Sequence, residues 1–329
     1  MPPPEPGWIQ ATPFGSSILS VAQAPSSPGV LYAAAATGNL FGSDDGGVTW
    51  SARHGGPPYV LVTSFVVDPH APATVYALTS ASTRSALLRT RNGGRSWKSI
   101  GFEVFIYELV VPAEHPDLLY AGTPQGLYRS ADAGKSWTVL AFPNSPLLSL
   151  AIDPLDDRGL LATVGGHAAG DPTVVWRSSD RGESWAPTPL VTTRGGLDLY
   201  GPHFVFDASR RGTAYAFFSL PGGDTTPPIF RTRDGGASWS PLPAAGGIRD
   251  LAASPSGTLY AATDFGVSRG DDAGATWQPP LANPSAAEAA PPDAGAGGEP
   301  TPASSLAEIQ LTETFYGQHG AIWLDYSFE

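Results

Sequence analysis

An eight-residue pattern that ends in tryptophan occurs six times in this chain. It reads Ser/Thr-x-Asp-x-Gly-x-Ser/Thr-Trp, and the first copy runs from Ser43 to Trp50. Two copies depart from it, with Asn92 in place of the aspartate and Gly270 in place of the first hydroxyl residue. Successive tryptophans lie 47, 40, 48, 54 and 38 residues apart. A period of this length is typical of repeats that each contribute four short strands.

The composition of the pattern suits a hairpin turn between two strands. A short carboxylate accepts hydrogen bonds from turn amides, glycine adopts positive φ, and the indole packs between neighbouring strands. We therefore assign a structural role, and not a catalytic one, to the repeated acidic, amide and indole side chains. They are Asp45, Asn92, Asp132, Asp180, Asp234 and Asp272, with Trp50, Trp97, Trp137, Trp185, Trp239 and Trp277.

The segments between these hairpins contain two further repeated features. A continuous apolar run that ends near Asp-Pro, such as Phe65–Pro69, is typical of an inner strand packed on both faces. The next strand carries a tyrosine in five repeats and Leu161 in the fourth. Together the repeats predict an all-β fold, a β-propeller, within residues 1–282.

The two ends of the chain decide the expected number of blades. Residues 7–12 resemble an outermost strand without its preceding turn, and residues 283–305 form an Ala/Pro/Gly-rich linker. Residues 306–329 contain two further strand-like stretches. We expect a seven-bladed propeller in which the N-terminal strand closes the last blade. The alternative is a six-bladed propeller with a C-terminal tail that docks on a partner.

Composition excludes several classes of function. The net charge of −12 disfavours nucleic acid and anionic membranes as partners. The chain has no cysteine, which removes thiolate metal ligands and a cysteine nucleophile. No stretch has the length of a membrane span, the N-terminus lacks the features of a signal peptide, and no metal-ligand spacing or cofactor motif is present. We therefore predict no metal and no cofactor.

The six registered copies of the pattern resemble the BNR or Asp-box repeat family, over about residues 18–279. That family includes sialidases, xyloglucanases, sortilin-type receptors and photosystem II assembly-factor propellers. The resemblance implies a propeller whose Asp boxes lie at the periphery, away from the ligand face. It does not choose between enzymes and binding proteins. The arginine phrase of sialidases and the Asp-Val-Gly-Gly phrase of xyloglucanases are both missing, so we expect a non-catalytic member.

Candidate binding residues come from comparing equivalent positions of the repeats. Four residues before the Asp of Asp-Pro, three repeats keep serine, and the other three have Glu108, His203 and Asp250. Tyr107 directly precedes Glu108, and Arg249 directly precedes Asp250. With Tyr200, these residues are our candidates for a ligand or partner site near the central channel. The alternative is that they are solvated groups at a wet channel entrance.

The sequence favours a protein-interaction or scaffold propeller, an accessory subunit or assembly factor of a larger complex. A rigid disc with divergent loops presents a broad surface without catalytic groups. The alternatives are a glycan-binding module and a glycoside hydrolase. Because many proteins of the resembled family are exported, we expect an extracytoplasmic location.

Overall fold

The computed structural model describes residues 18–53, 61–80, 86–102, 104–165, 174–191, 202–218, 229–243, 248–263, 266–271 and 273–278. Their secondary structure consists of 24 β-strands in six antiparallel, four-stranded sheets. Each sheet uses four strands that are consecutive in sequence, so each sheet is one blade. Within the described residues we find no helix with the length and apolar character that a membrane crossing requires.

The first three blades are numbered in chain order. The first consists of β1 (Ile18–Ala24), β2 (Ser27–Ala35), β3 (Leu40–Ser43) and β4 (Ser51–Ala52). The second consists of β5 (Leu61–Val67), β6 (Val75–Ser80), β7 (Leu87–Thr90) and β8 (Lys98–Ser99). The third consists of β9 (Glu108–Val110), β10 (Leu119–Thr123), β11 (Gly126–Ser130) and β12 (Thr138–Ala141).

The last three blades repeat this order. The fourth consists of β13 (Leu147–Asp153), β14 (Asp156–Val164), β15 (Val174–Ser178) and β16 (Ala186–Val191). The fifth consists of β17 (His203–Phe206), β18 (Ala214–Phe217), β19 (Ile229–Thr232) and β20 (Ser240–Leu242). The sixth consists of β21 (Ile248–Ala253), β22 (Leu259–Thr263), β23 (Gly266–Asp271) and β24 (Thr276–Trp277).

The first strands of the blades lie on the inside of the ring. Strand β1 contacts β5, and strand β13 contacts β9 on one side and β17 on the other, which in turn contacts β21. Hydrophobic clusters then join each blade to the next, from the first through to the sixth. Radially repeated sheets that pack face to face in this way form a β-propeller. The prediction of an all-β propeller is confirmed.

The eight-residue pattern lies between the third and fourth strands of the blades. In the first blade the Asp45 carboxylate accepts hydrogen bonds from Thr49 N (2.8 Å), Thr49 Oγ1 (2.6 Å) and Ser43 Oγ (2.8 Å). The hydroxyl of Thr49 contributes most to lowering the pKa of Asp45 to about 2. In the third blade Ser136 does the same for Asp132, whose pKa is also lowered to about 2. These carboxylates are therefore engaged by their own turns.

The fourth and fifth residues of the pattern adopt left-handed backbone conformations, with positive φ. In the first blade both are glycines, Gly46 at φ 75° and Gly47 at φ 90°. In the third blade the first of the pair is Ala133 at φ 57°, and a side chain there strains the backbone. The next residue, Gly134, has φ 83°, and the Cβ of any other residue there would lie 2.4 Å from Ile100 Cδ1. A side chain at this position is therefore less favourable than at Ala133. Asp272, the aspartate of the sixth pattern, lies outside the described residues.

The number of blades differs from the expected seven. The described residues form six, which matches the six-bladed alternative. The physical reason is that every sheet already obtains four strands from consecutive sequence. The sixth blade has its own outer strand β24, so all four of its described strands lie within residues 248–277. Residues 7–12 and 306–329, from which we expected a seventh blade, lie outside the described residues, as does the linker.

Candidate ligand-binding face

The inner strands all begin at one end of the ring, which we call the top face. The six positions compared in the sequence are structurally equivalent, because each pairs with the residue two places after the repeated tyrosine. Glu108 pairs with Gly122, His203 with Phe217 and Asp250 with Ala262. The serines of the other blades pair in the same way. The alignment of the repeats at this position is therefore correct.

A β-bulge lies next to this position in four blades. The register shifts between Ile18 and Ser20, and equivalent shifts occur in the second, fourth and sixth blades. The extra residue in the sixth blade is Arg249. In the third blade the amide of Tyr107 donates to the carbonyl of Gly122 (2.9 Å), the residue that also pairs with Glu108. Such bulges turn a side chain away from the regular sheet.

One residue before the compared position, only two of the six side chains are exposed. Tyr107 and Arg249 reach solvent, whereas their counterparts are half-buried in three blades and buried in the fifth. The Tyr107 side chain is 45% exposed and contacts Phe105, which is 42% exposed, edge to face with ring centroids 5.3 Å apart. We call Phe105 and Tyr107 the aromatic pair. The third blade thus presents an apolar surface at the top face.

Glu108 lies beside the aromatic pair but points into the protein. It is 4% exposed, and its Oε2 accepts hydrogen bonds from the amide of Leu150 (2.8 Å) and the hydroxyl of Ser149 (3.3 Å). Both partners belong to inner strand β13 of the next blade. The geometry makes Glu108 a link between the third and fourth blades, and sequence comparison alone did not show this contact.

The remaining sequence candidates stand on other blades. His203 begins β17, is half-buried and lies 5.6 Å from the ring of Phe217. Asp250 is half-buried, and its Oδ1 accepts a hydrogen bond from the amide of Leu251 (2.8 Å). Tyr200 lies outside the described residues. Phe102, three residues before Phe105, is buried against Trp137 with ring centroids 4.5 Å apart.

The structure brings together one polar cluster that the sequence did not reveal. Glu114, His115 and Asp157 have ligand atoms within 4.8 Å of one another. Asp157 is buried, interacts with His115, and accepts hydrogen bonds from both Nε and Nη2 of Arg181. Because the Arg181 guanidinium already binds the Asp157 carboxylate, this arrangement does not fit a divalent cation. It joins the third and fourth blades, and the sequence gave no signal because Asp157 lies 42 residues after His115.

Comparison with known proteins identifies the fold and not the function. No protein-family model and no curated protein matches the chain. Among solved structures, the chain is similar to the GH74 xyloglucanase from Xanthomonas campestris, with 20% identity and a TM-score of 0.63. That match covers 86% of this chain but 49% of the xyloglucanase. This chain therefore spans about half the length of that enzyme.

A second group of similar structures consists of smaller propellers. YCF48 bound to a D1 peptide is 19% identical with a TM-score of 0.60, and the match covers 84% of this chain and 85% of that one. YCF48 from Cyanidioschyzon merolae is 17% identical with a TM-score of 0.56, covering 83% and 88%. At these identities the likeness establishes a β-propeller, which enzymes and peptide-binding proteins share.

Proposed function

We propose that this chain is a non-catalytic protein-interaction propeller, an accessory subunit or assembly factor of a larger complex, and a member of the Asp-box repeat propellers. The observation that carries the proposal is the aromatic pair, exposed on the top face. Among the described residues equivalent to Tyr107, Arg249 is the other exposed one, and the remaining four are half-buried or buried. Clustered exposed aromatic residues are unusual on monomeric proteins and favour protein contacts.

The chemistry of this surface suits a protein partner. Tyrosine presents a large apolar ring and a hydroxyl that can hydrogen-bond at the interface rim. Tyr107 and Arg249 belong to residue types that dominate binding energies at interfaces. The amide of Tyr107 donates to the carbonyl of Gly122 on β10, and Arg249 is the bulged residue of β21, so the sheets hold both backbones in place. A preorganised surface loses less entropy on binding than a mobile loop would.

The environment of Glu108 supports a binding role over a hydrolytic one. A glycosidase needs two carboxyl groups that flank the scissile bond, one to donate a proton and one to act as base or nucleophile. The Glu108 carboxylate is buried and bonds to the neighbouring inner strand. Its position therefore favours a structural function in this chain.

Glycan binding is the second candidate, because the same aromatic pair could stack on a sugar ring. The similarity to a xyloglucanase is compatible with this alternative, whereas the similarity to YCF48 with its bound peptide is compatible with a protein partner. Both similarities concern the fold. The choice between the two ligands therefore requires an experiment on the aromatic pair itself.

The test is affinity purification from the source cells with three forms of the full chain. These are the wild type, a double variant with Phe105→Ala and Tyr107→Ala, and the control Val139→Ala. Val139 is 50% exposed and lies on the outer strand of the same blade. We expect one stoichiometric protein partner with the wild type and the control, and its loss with the double variant.

Three results would contradict the proposal. The first is retention of the same partner by the double variant. The second is binding of an oligosaccharide that the double variant loses while no protein copurifies, which would favour the glycan alternative. The third is turnover of xyloglucan or aryl glycosides that Glu108→Gln abolishes, which would make the chain a hydrolase.

We also propose an extracytoplasmic location, by analogy with the exported members of the resembled family. The Ala/Pro/Gly-rich composition of residues 283–305 is compatible with it. Fractionation of the source cells with an antibody against the chain would test this. Recovery with a cytoplasmic marker enzyme would contradict it.

A further inference from the structure

The side of the ring between the sixth and first blades differs from the other junctions. Buried hydrophobic clusters fill the junctions from the first blade through to the sixth. None of the clusters formed by the described residues joins the sixth blade to the first. We call this junction the opening. It is bounded by the outward face of the sixth blade and the facing side of the first.

The face of the sixth blade at the opening is less buried than the same face of the fifth. Tyr260 is half-buried, whereas its counterpart Tyr215 is fully buried between blades. Val267 is likewise half-buried, and its counterpart Ile229 is fully buried. Ala262, beside them on β22, is also half-buried. The side chains that elsewhere fill a junction are present here without equal coverage.

The face of the first blade at the opening shows the matching difference. Ile18, Val21 and Phe41 are half-buried. Their counterparts in the second blade, which pack against the first, are all buried: Val62, Phe65 and Leu88. Both sides of the opening therefore present apolar side chains of the kind that a neighbouring sheet covers. Covering such surface is favourable by roughly 25 cal/mol per Å².

A repeated arginine adds charge to the same edge. Arg89 and Arg231 each donate a hydrogen bond to the hairpin carbonyl of the following blade, at Ala133 and Ala273. The equivalent Arg269 of the sixth blade is 51% exposed and lies 3.5 Å from Asp271 of its own blade. The second and fifth blades thus use this arginine to contact the next blade, whereas Arg269 pairs within its own blade at the opening.

We propose that the opening is covered by the C-terminal segment of the same chain, residues 321–328. In its sequence, Ala-Ile-Trp-Leu-Asp-Tyr-Ser-Phe, every second residue from Ile322 to Phe328 is apolar. This alternation predicts a strand with one wholly apolar side. That side packs against Tyr260 and Val267 of the sixth blade and faces Val21 of the first.

The length and charge of the segment favour this occupant over another molecule. The chain continues from Gln278, at the end of the sixth blade, to Glu329, a length comparable with one repeat. Residues 306–329 contain four acidic residues and no lysine or arginine, which complements Arg269. Because the segment is tethered, its effective concentration is on the order of millimolar, above that of a second copy.

Disulfide trapping in the full-length chain tests the proposal directly, because the native chain has no cysteine. We would combine Ala262→Cys with Leu324→Cys, and as a control Val139→Cys with Leu324→Cys. A disulfide forms when the two Cα atoms approach within about 7 Å. Under mild oxidation at micromolar protein, we expect an intramolecular disulfide in most chains of the first variant and at least tenfold less in the control.

Thermal unfolding of two adjacent variants gives a second test that does not depend on cysteines. Tyr326→Asp places a charge on the apolar side of the segment, whereas Ser327→Asp places it on the other side. We expect the first to lower the unfolding midpoint by about 3 °C or more and the second to change it little. Equal effects of the two variants would overturn the proposal. Disulfide-linked dimers, which indicate a second copy, or no disulfide above the control would also overturn it.

Discussion

The hydroxyl of Tyr120 provides a sharp test of how the blades are held together. Tyr120 on β10 is fully buried, and its hydroxyl donates a hydrogen bond to the carbonyl of Arg181 in the fourth blade (3.0 Å). Tyr215 occupies the same position in the fifth blade and is equally buried, but its hydroxyl has no hydrogen-bond partner among the described residues. Burial raises the pKa of both to about 12. The two sites therefore differ in one hydrogen bond.

The matched substitutions Tyr120→Phe and Tyr215→Phe should have different effects. Tyr120→Phe removes a neutral hydrogen bond, which contributes about 0.5–1.5 kcal/mol net to stability. Tyr215→Phe removes a buried hydroxyl that costs roughly 1–3 kcal/mol when it lacks a partner. We expect the first to destabilise the protein by about 1 kcal/mol. We expect the second to be neutral or stabilising.

Equilibrium unfolding in urea, followed by tryptophan fluorescence, measures the difference. Because each variant keeps the ring, the surface exposed on unfolding and therefore the m-value should not change. The unfolding midpoint of Tyr120→Phe should fall below that of the wild type, and that of Tyr215→Phe should equal or exceed it. Equal shifts of both midpoints in the same direction would refute the reasoning.

Three further predictions concern the hairpins and the third inner strand. Ala133→Gly should raise the free energy of unfolding by about 0.5–1 kcal/mol, because it relieves a left-handed alanine, whereas Gly134→Ala should lower it; urea midpoints in the opposite order would contradict this. Glu108→Ala should destabilise by roughly 2–3 kcal/mol, because it leaves the buried amide of Leu150 without its acceptor, and Glu108→Gln should retain most of the stability; equal losses in urea unfolding would argue against the link. Asp132, whose folded pKa of about 2 lies below its ordinary 3.8, contributes stability above pH 4 that is lost as the pH falls towards 2. The difference between Asp132→Asn and the wild type should therefore shrink over that range, and a constant difference would contradict the assignment.

The repeated features of the sequence predicted the fold well. The six copies of the pattern predicted the six blades that contain it, and the tyrosines predicted the second strands. Each repeat buries the same face against a neighbouring blade, so the same residue types recur at the same positions. The alignment even placed Glu108, His203 and Asp250 at one structural position. The number of blades was predicted less well, because it depends on segments without the pattern.

The surroundings of individual side chains could not be predicted from the same alignment. Glu108 and Tyr107 are adjacent in sequence, yet one is buried against the fourth blade and the other is exposed. In four other blades a β-bulge beside this position interrupts the alternation of a regular strand, and no residue type marks it. Likewise Arg181 and Asp157 meet only because neighbouring blades pack together.

Site-specific photo-crosslinking tests most directly the proposal that the top face of this propeller binds a protein. A photoreactive phenylalanine analogue would replace either Tyr107, on the top face, or Val48, which is 75% exposed on the hairpin of the first blade. Both side chains are exposed, so a difference in crosslinking reports which face of the propeller binds the protein and not how accessible the residue is. We predict that the copurifying protein crosslinks from position 107 and not from position 48. Crosslinking from position 48 alone would contradict the assignment of the top face as the binding surface.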